Sequence, residues 1–310
     1  MRHFLQDDDI SSEEQAFILK AAQQLSDNSL AFHGELKGHC LGLLFEKPSL
    51  RTRVSSETAT VNLGAYPVQL RAEELHLKRG ESALDTARVL SGYLNLLMAR
   101  VLRHTLLEEL KQADTIPIVN GLSDRYHPLQ ALADLLTMRQ NWNGELEGRS
   151  VTFIGDGNNV CCSLMLAGAM AGLDKFTIGC PKGFEPPTHL IEKITKTWEM
   201  SIEIANDPFD AVANSDAICT DVWTSMGQEE EQRKRELLFA PFQVNERLIR
   251  AAKPDAIVLH CLPANKGQEI TSGVFDGSQS RIIQQAHNRL PATAALFLFM
   301  IKPDIVLSHG

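Results

Sequence analysis

Cysteine is scarce in this sequence, and its spacing excludes the arrangements that usually give it a structural role. Six cysteines occur in 310 residues. Cys161 and Cys162 are adjacent, which does not suit a disulfide framework, and there is no C-x-x-C pair to indicate a structural zinc site. These observations favour reduced thiols in a cytoplasmic protein.

Positive charge and long apolar runs are also in short supply. Lys and Arg number 30 against 39 Asp and Glu, which gives a net charge of −9. This balance argues against a general binder of nucleic acid or anionic membranes, so any positive site must be local. No apolar run is long enough to span a bilayer, and the first residues, MRHFLQDDDISSEE, lack the apolar core of a secretory signal.

The sequence does contain short apolar runs that alternate with helical periodicity, a pattern typical of α/β units with parallel strands. The polar stretch NGELEGR, residues 143–149, separates two such halves and indicates a domain boundary. We therefore predict an α/β protein of two domains, each a parallel-stranded sheet flanked by helices, with an active site in the interdomain cleft. Strands are predicted at CLGLLF, YPVQL, NLLMARV, IPIVNG, SVTFIG, FTIGC, SIEIAN, DAICTDV and AIVLHCLP.

The stretch FEKPSLRTR, residues 45–53, places positive charge at a predicted helix start. Ser49 occupies the N-cap position, and the unpaired amides and dipole of the first turn favour an anion. Arg51 and Arg53 add full charges, and arginine binds phosphate oxygens bidentately. A phosphate site and an ordinary cap followed by two solvated arginines both remain compatible with this stretch.

Two further motifs in the first half fall where α/β proteins bind ligands. Arg100 ends an apolar strand, and the carboxyl ends of parallel strands line the ligand crevice, although a solvent-exposed arginine would give the same pattern. His127 and Gln130 flank Pro128, which predicts a helix start. The helix N-terminus favours a neutral His127 able to hydrogen-bond a carbonyl, and Gln130 could bind an amide. The alternative for His127 is a simple cap.

The second half has a Gly-rich turn after a strand, GDGNN, but it lacks the third glycine of the dinucleotide fingerprint. We therefore interpret Asn159 as a ligand of a small polar molecule. Asp221, at a strand end, could hold an ammonium group or act as a local cap. Cys261 is either a thiol at the crevice edge or a buried structural residue. Arg289 begins the predicted final helix and could supply another positive charge.

The motifs SLRTR, HPLQ, DGNN, DVWTSMG and HCLP occur in one order along the chain. With these motifs the sequence resembles the aspartate/ornithine carbamoyltransferase family over essentially its whole length. DVWTSMG and HCLP are similar to the ornithine branch, whereas the aspartate branch has His-Pro-Leu-Pro-Arg and lacks the Ser-Met-Gly loop. The resemblance implies transfer of the carbamoyl group of carbamoyl phosphate to the δ-amine of L-ornithine, which gives L-citrulline and phosphate in arginine biosynthesis.

The resemblance also implies roles for individual residues. Arg100, His127 and Cys261 would be catalytic. Ornithine would be bound by Asn159, Asp221, Ser225 and Met226. Carbamoyl phosphate would be bound by Ser49, Leu50 through its backbone, Arg51, Thr52, His76, Arg100, His127, Gln130, Cys261, Leu262 and Arg289.

By the same resemblance, residues 1–142 form the carbamoyl-phosphate-binding domain and residues 143–289 the ornithine-binding domain, with a C-terminal helix at 290–310 packing back on the first domain. The expected assembly is a cytoplasmic homotrimer, or a multiple of trimers, without a metal, an organic cofactor, nucleic acid or membrane as partner. The sequence departs from the family at Leu50, where Thr is commoner, and at Ser56 and Ala264. It also departs at His76, where relatives often have a Gln that reaches the neighbouring subunit's phosphate.

Three alternatives stay open at this point. The acceptor could be another amine, such as putrescine, an acylated ornithine or aspartate. An NAD-dependent dehydrogenase is a second alternative, against which the incomplete glycine fingerprint speaks. A non-catalytic paralogue is the third, and it would have no physical need for the full set Arg51, Arg100, His127, Gln130 and Arg289.

Overall fold

A computed structural model describes residues 1–71, 80–224 and 232–308. The chain divides into two compact units: the first unit comprises residues 1–136 and 287–310, and the second unit comprises residues 137–286. Within the described ranges, no helix has the length and apolar character needed to cross a membrane.

The first unit contains a four-stranded sheet in which every pairing is parallel. The strands are β1 (Cys40–Phe45), β2 (Tyr66–Arg71), β3 (Leu96–Arg100) and β4 (Ile118–Leu122), in the order β2-β1-β3-β4. The inner strands are buried on both faces, which explains their continuous apolar sequences, whereas the edge strand β2 is partly exposed. The helices that begin in this unit are α1 (Ser12–Asp27), α2 (Leu50–Asn62), α3 (Ala83–Leu90), α4 (His104–Lys111) and α5 (Pro128–Asn141).

The second unit contains a five-stranded parallel sheet in the order β7-β6-β5-β8-β9. Its strands are β5 (Ser150–Ile154), β6 (Lys175–Gly179), β7 (Ser201–Ala205), β8 (Ala217–Thr220) and β9 (Ile257–His260). Its described helices include α6 (Asn159–Met170), α7 (Thr188–Trp198), α8 (Pro208–Val212), α9 (Gln232–Phe239), α10 (Glu246–Ile249) and α11 (Ser272–Phe275). The predicted fold class of parallel sheets flanked by helices is confirmed.

Both sheets change winding direction beside an inner strand. From β1 the chain moves to β2 on one side and then to β3 on the other. From β5 it moves to β6 on one side and later to β8 on the other. The loops that leave such neighbouring strands diverge at their carboxyl ends, and ligands of α/β proteins bind at these switch points. The sheet topology therefore predicts one candidate site in each unit, after β1 and β3 in the first and after β5 and β8 in the second.

The C-terminal helix differs from the one predicted at 290–310. Helix α12 runs from Ile282 to Ile301, and a separate short helix, α13, covers Pro303–Ser308. The predicted start was too late, because the helix already begins at Ile282 and Pro291 lies inside it. A proline inside a helix removes one backbone hydrogen bond and does not always end the helix. Arg289 consequently lies within α12 and not at its start.

Candidate active site

Thr52 lies at the centre of the candidate site in the first unit. It belongs to the first turn of α2, and only 1% of its surface is exposed. Its hydroxyl oxygen accepts hydrogen bonds from Nη1 of Arg100 at 3.2 Å and from Nη2 of Arg289 at 3.1 Å. A hydroxyl has two lone pairs and one hydrogen, so these bonds use both lone pairs and leave the hydrogen for an anionic acceptor.

Two of the groups that bond to Arg289 are neutral. Its Nη1 donates to Oε1 of Gln130 at 2.6 Å, and Nε2 of Gln130 donates in turn to Oδ1 of Asp134 at 2.7 Å. All three side chains are buried. Gln130 and Thr52 are uncharged acceptors, so they orient the guanidinium without cancelling its charge. The predicted residues Thr52, Arg100, Gln130 and Arg289 are thus brought together by direct hydrogen bonds.

His127 belongs to the same group. It is buried and directly precedes Pro128, the first residue of α5. Burial lowers the pKa of the imidazole well below its ordinary value, and the positive charges of Arg289, Arg100 and Arg51 lower it further. The sequence argument predicted a neutral imidazole from the helix N-terminus alone. The structure shows that burial is the main cause and that three arginines create a strongly positive region around it.

The stretch FEKPSLRTR divides between two roles. Ser49 is at the N-cap of α2, but its side chain makes no capping hydrogen bond. Arg51 is half-buried and acts electrostatically on His127, whereas Arg53 is exposed and pairs with Glu57 at 2.9 Å. The side chain of Leu50 is 74% exposed. The structure shows the solvated role for Arg53, and the phosphate role of Arg51 stays a prediction.

The turn before His127 is braced by residues that the sequence argument did not single out. His104, at the start of α4, is buried and its Nδ1 lies 2.8 Å from the hydroxyl of Ser123. The same hydroxyl accepts from Nδ2 of Asn120 at 3.1 Å, and Asn120 also donates to the carbonyl of Leu5 at 2.8 Å. These contacts fix the end of β4 and therefore the approach of the chain to His127. Their sequence signal is weak because each residue type is common in ordinary turns.

In the second unit, the turn after β5 is built around glycine and asparagine. Gly155 has φ +139°, and a Cβ on Gly157 would come within 2.3 Å of the backbone nitrogen of Pro186. Asn158 caps α6 by accepting from the amides of Val160 and Cys161 at 3.0 and 3.1 Å. The GDGNN sequence is therefore explained by close packing of the turn and by helix capping. Asn159 follows as the first residue of α6 and is partly exposed.

Asp221 connects the loops after β5, β8 and β9. Its Oδ2 accepts from Nδ2 of Asn158 at 2.9 Å, and its Oδ1 accepts from the thiol of Cys261 at 2.9 Å. Oδ1 also accepts from the amide of Val222 at 2.8 Å, so the local cap interpretation holds as well. The structure brings the predicted residues Asp221 and Cys261 into contact, and it adds Asn158, which the sequence argument had placed only in the turn.

The loop after β9 is held by a buried pair that the sequence argument missed. His260 and Glu269 are fully buried, with Nε2 of the imidazole 3.0 Å from Oε1 of the carboxylate. Nδ1 of His260 accepts from the amide of Leu262 at 2.9 Å, a residue whose φ is +64°. A neutral imidazole that donates from Nε2 and accepts at Nδ1 satisfies both contacts. His260 is the first residue of the HCLP motif, whereas nothing in the sequence marked Glu269.

Asp221, His260 and Cys261 also form a group with one potential metal-ligand atom each, and these atoms lie within 4.8 Å of one another. Both nitrogens of His260 are already engaged by Glu269 and Leu262. That leaves one carboxylate and one thiol, fewer than the three protein ligands of a typical catalytic zinc site. The arrangement fits an amine-binding carboxylate and thiol better than a resident metal.

Three predicted site residues fall outside the described ranges. His76 lies between residues 71 and 80, and Ser225 and Met226 lie between residues 224 and 232. Their assignments remain predictions from the resemblance.

Both halves of the chain match domain models of one protein family. Residues 2–140 match the carbamoyl-P binding domain of aspartate/ornithine carbamoyltransferase, and residues 147–300 match its Asp/Orn binding domain. The chain belongs to the aspartate/ornithine carbamoyltransferase family. Among curated members of this family, the ornithine carbamoyltransferase of Acidothermus cellulolyticus is 47% identical over 304 residues, which cover 97% of each chain.

Solved structures of family members have the same fold as this chain. The ornithine carbamoyltransferase from Pyrococcus furiosus superposes with a TM-score of 0.90 at 43% identity and 96% coverage of both chains. The enzyme from Thermus thermophilus gives a TM-score of 0.88 at 39% identity, covering 97% of this chain and 99% of that one. The family resemblance predicted from the motifs is confirmed, and the similar proteins belong to the ornithine branch.

Proposed function

We propose that this protein transfers the carbamoyl group of carbamoyl phosphate to the δ-amine of L-ornithine, and that L-citrulline and phosphate are the products. The observation that carries the proposal is the group around Thr52, in which Arg100 and Arg289 share one hydroxyl beside a neutral His127. Such a group suits a dianionic phosphate joined to a polar carbonyl. The relatives named ornithine carbamoyltransferase support ornithine as the acceptor.

Carbamoyl phosphate is assigned first. The amides at the start of α2, including that of Leu50, point out of a helix N-terminus and suit phosphate oxygens. Arg51, Arg100 and the hydroxyl hydrogen of Thr52 add charge and direction. The remaining residues assigned to this substrate are Ser49, His76, His127, Gln130, Cys261, Leu262 and Arg289.

Ornithine is assigned to the second unit. The carboxylate of Asp221 attracts an ammonium group, and the thiol of Cys261 lies on one of its oxygens. Asn159 offers an amide at the start of α6, where the helix N-terminus favours the carboxylate of an amino acid. Ser225 and Met226 complete the assignment from the resemblance. A hydrophobic acceptor pocket would not need these polar groups.

The proposed reaction balances as a substitution at the carbonyl carbon. The deprotonated δ-amine attacks that carbon, a C–N bond forms, and the bond from carbon to the phosphate oxygen breaks. Phosphate leaves with the bonding electron pair and takes up the proton that the nitrogen loses. Arg51 and Arg100 would stabilise the leaving phosphate, and a neutral His127 would donate one hydrogen bond to the carbonyl oxygen as charge develops. Removal of one such donor typically slows the chemical step by about a hundredfold or more.

A homotrimer in the cytoplasm is proposed as the working form. Support for self-association comes from apolar side chains exposed along α2 and at the edge strand β2: Leu50, Val54, Val61 and Tyr66. His76 is assigned to the phosphate site of a neighbouring copy. Support for the cytoplasm comes from the six cysteines, none of which forms a disulfide. Sedimentation velocity tests the assembly, and a monomer at working concentration would contradict it.

The deciding experiment is a citrulline-type assay with a panel of acceptors: ornithine, putrescine, N-acetylornithine and aspartate. We expect ornithine to be the preferred acceptor. The Arg51→Ala variant should lose activity by about a hundredfold because a charged phosphate contact is removed. Arg53→Ala is the matched control, since Arg53 lies on the same helix but pairs with Glu57 in solvent. Preference for putrescine would overturn the acceptor, and an unchanged Arg51→Ala variant would overturn the site.

A further inference from the structure

The loops after β5 and β8 are joined by a side chain that neither motif contains. Arg235, on α9, is only 4% exposed. One end of its guanidinium pairs with the carboxylate of Asp156, two residues after β5. Its Nε donates to the carbonyl of Trp223 at 2.5 Å, three residues after β8. A single planar cation therefore bonds both loops that carry the residues assigned to ornithine.

The guanidinium is enclosed as well as bonded. It lies 4.8 Å from the ring centroid of Phe184 and 5.2 Å from that of Phe239, and the two rings pack edge to face. Cation–π contacts of this kind are stronger when the cation is removed from water. The two rings and the two hydrogen-bond acceptors together restrict the orientation of the guanidinium. The distance between Asp156 and the backbone of Trp223 is consequently fixed by the width of one arginine fork.

The two bonded loops meet at the candidate ornithine residues. Asp156 precedes Asn158, whose amide donates to Asp221, and Asn159 comes next. Trp223 follows Asp221 by two residues. A change in the spacing of these loops would move the carboxylate of Asp221 relative to Asn159. Binding that depends on both groups is sensitive to displacements of about 1 Å.

We propose that Arg235 is a positioning residue for the amine acceptor: by bonding Asp156 and the Trp223 carbonyl together, it sets the spacing of Asn159 and Asp221. It does not touch the substrate. Lysine cannot replace it, because an ammonium group lacks the planar fork that reaches both acceptors. This inference rests on the assignment of ornithine to Asn159 and Asp221 and extends it to a residue outside every motif of the sequence.

The second unit supplies its own control. At the opposite, amino ends of the same two strands, Arg149 pairs with Asp216 at 3.1 Å and its guanidinium lies 5.2 Å from the ring of Trp142. This is also an arginine that joins β5 to β8 beside an aromatic ring, but it is remote from the loops at the carboxyl ends. Arg149→Met therefore removes a similar interaction without touching the candidate site.

The test compares Arg235→Met, Arg235→Lys and Arg149→Met by steady-state kinetics and thermal unfolding. Arg235→Met should raise the KM for ornithine by about tenfold or more and change that for carbamoyl phosphate by less than about twofold. Arg235→Lys should recover only a small part of the loss. Arg149→Met should lower the unfolding temperature and leave both KM values within about twofold of the parent. Equal effects on both substrates, or an unchanged ornithine KM in Arg235→Met, would overturn the proposal.

A second measurement covers the case in which Arg235→Met does not fold. Asp156→Asn keeps the shape of the carboxyl group and removes the ion pair, so it should raise the ornithine KM in the same selective way by about threefold or more. Equal KM values in Asp156→Asn and the parent would count against the proposal.

Hydrogen exchange of the amides at residues 155–160 and 221–224, without any substrate, separates this inference from the proposed function. Exchange there should be about tenfold faster in Asp156→Asn than in Arg149→Met. If the parent makes no citrulline, the proposed function fails, and the exchange result alone decides whether Arg235 and Asp156 hold the loops together. Equal exchange rates would refute that coupling.

Discussion

The substitution Thr52→Val tests the central feature of the first unit. Valine keeps the shape of threonine and removes only the hydroxyl that accepts from Arg100 at 3.2 Å and from Arg289 at 3.1 Å. A hydrogen bond to a charged group contributes about 1.5–3 kcal/mol, so two lost bonds lower the free energy of unfolding by about 3–6 kcal/mol if nothing relaxes. Partial rehydration of Arg100, which is only half-buried, places the expected value at the lower end.

The effect on substrate is separate from the effect on stability. The hydroxyl of Thr52 is also a hydrogen-bond donor, and we assign a phosphate oxygen of the substrate as its acceptor. One lost bond to an anion is worth about 1.5–3 kcal/mol, or about ten- to a hundredfold in the KM for carbamoyl phosphate. The assay is citrulline formation with carbamoyl phosphate varied at saturating ornithine, together with thermal unfolding of each variant.

Thr60→Val is the matched control for this experiment. Thr60 lies on the same helix and is fully buried, but its hydroxyl donates at 2.7 Å to the carbonyl of Ser56 and bonds to no arginine among the described residues. It should lose about 1 kcal/mol of stability and keep its KM. If Thr52→Val and Thr60→Val have the same KM for carbamoyl phosphate, the reasoning about Thr52 is refuted.

Two other predictions concern pH and the turn after β5. Burial and the neighbouring arginines lower the pKa of His127 in the folded state, so the unfolded state binds more protons below about pH 6.5. As the pH is lowered through this range, the free energy of unfolding should therefore decrease by up to about 1.4 kcal/mol per pH unit. Denaturant titrations should show that His127→Gln loses this acid sensitivity, and an equal slope in both proteins would contradict it. Gly157→Ala should raise the ornithine KM by about tenfold, because its Cβ would meet Pro186 at 2.3 Å. Gly92→Ala, whose Cβ meets nothing closer than 3.5 Å, should match the parent, and equal kinetics in the two variants would argue against the role of the turn.

The strands were predictable because buried parallel strands are short, continuous and apolar. CLGLLF forms β1 over Cys40–Phe45, as its composition indicates. The helix that carries Arg235 was not predicted, since QRKRELLF has charges at half of its positions and buries only Arg235 and Phe239. No amphipathic stripe marks such a helix, and the burial of a charged residue depends on partners that are distant in sequence.

The residues of the candidate site, like the secondary structure, were predictable only in part from the sequence. Residues at strand ends and helix starts, such as Arg100 and His127, could be found because topology places those positions near ligands. Residues that brace the loops of the second unit, such as Glu269 and Asp156, act through partners brought close only by tertiary folding, and no local sequence pattern indicates them. Even for His127 the direction of the pKa shift was predicted for an incomplete reason, because burial and three arginines are not visible in HPLQ.

The two switch points have a consequence for how acceptor choice can change. Most residues that we assign to carbamoyl phosphate lie on α2, β3, α5 and α12, with Cys261 and Leu262 on the loop after β9. The acceptor is assigned to the loops that leave β5 and β8 in the second unit. The family models show the same division: one describes a carbamoyl-P binding domain, and the other describes a domain that binds aspartate or ornithine. Acceptor specificity is therefore a modular property: an engineer seeking a new acceptor can randomise the two loops after β5 and β8 and leave the arginines and Cys261, which are assigned to the carbamoyl donor, unchanged.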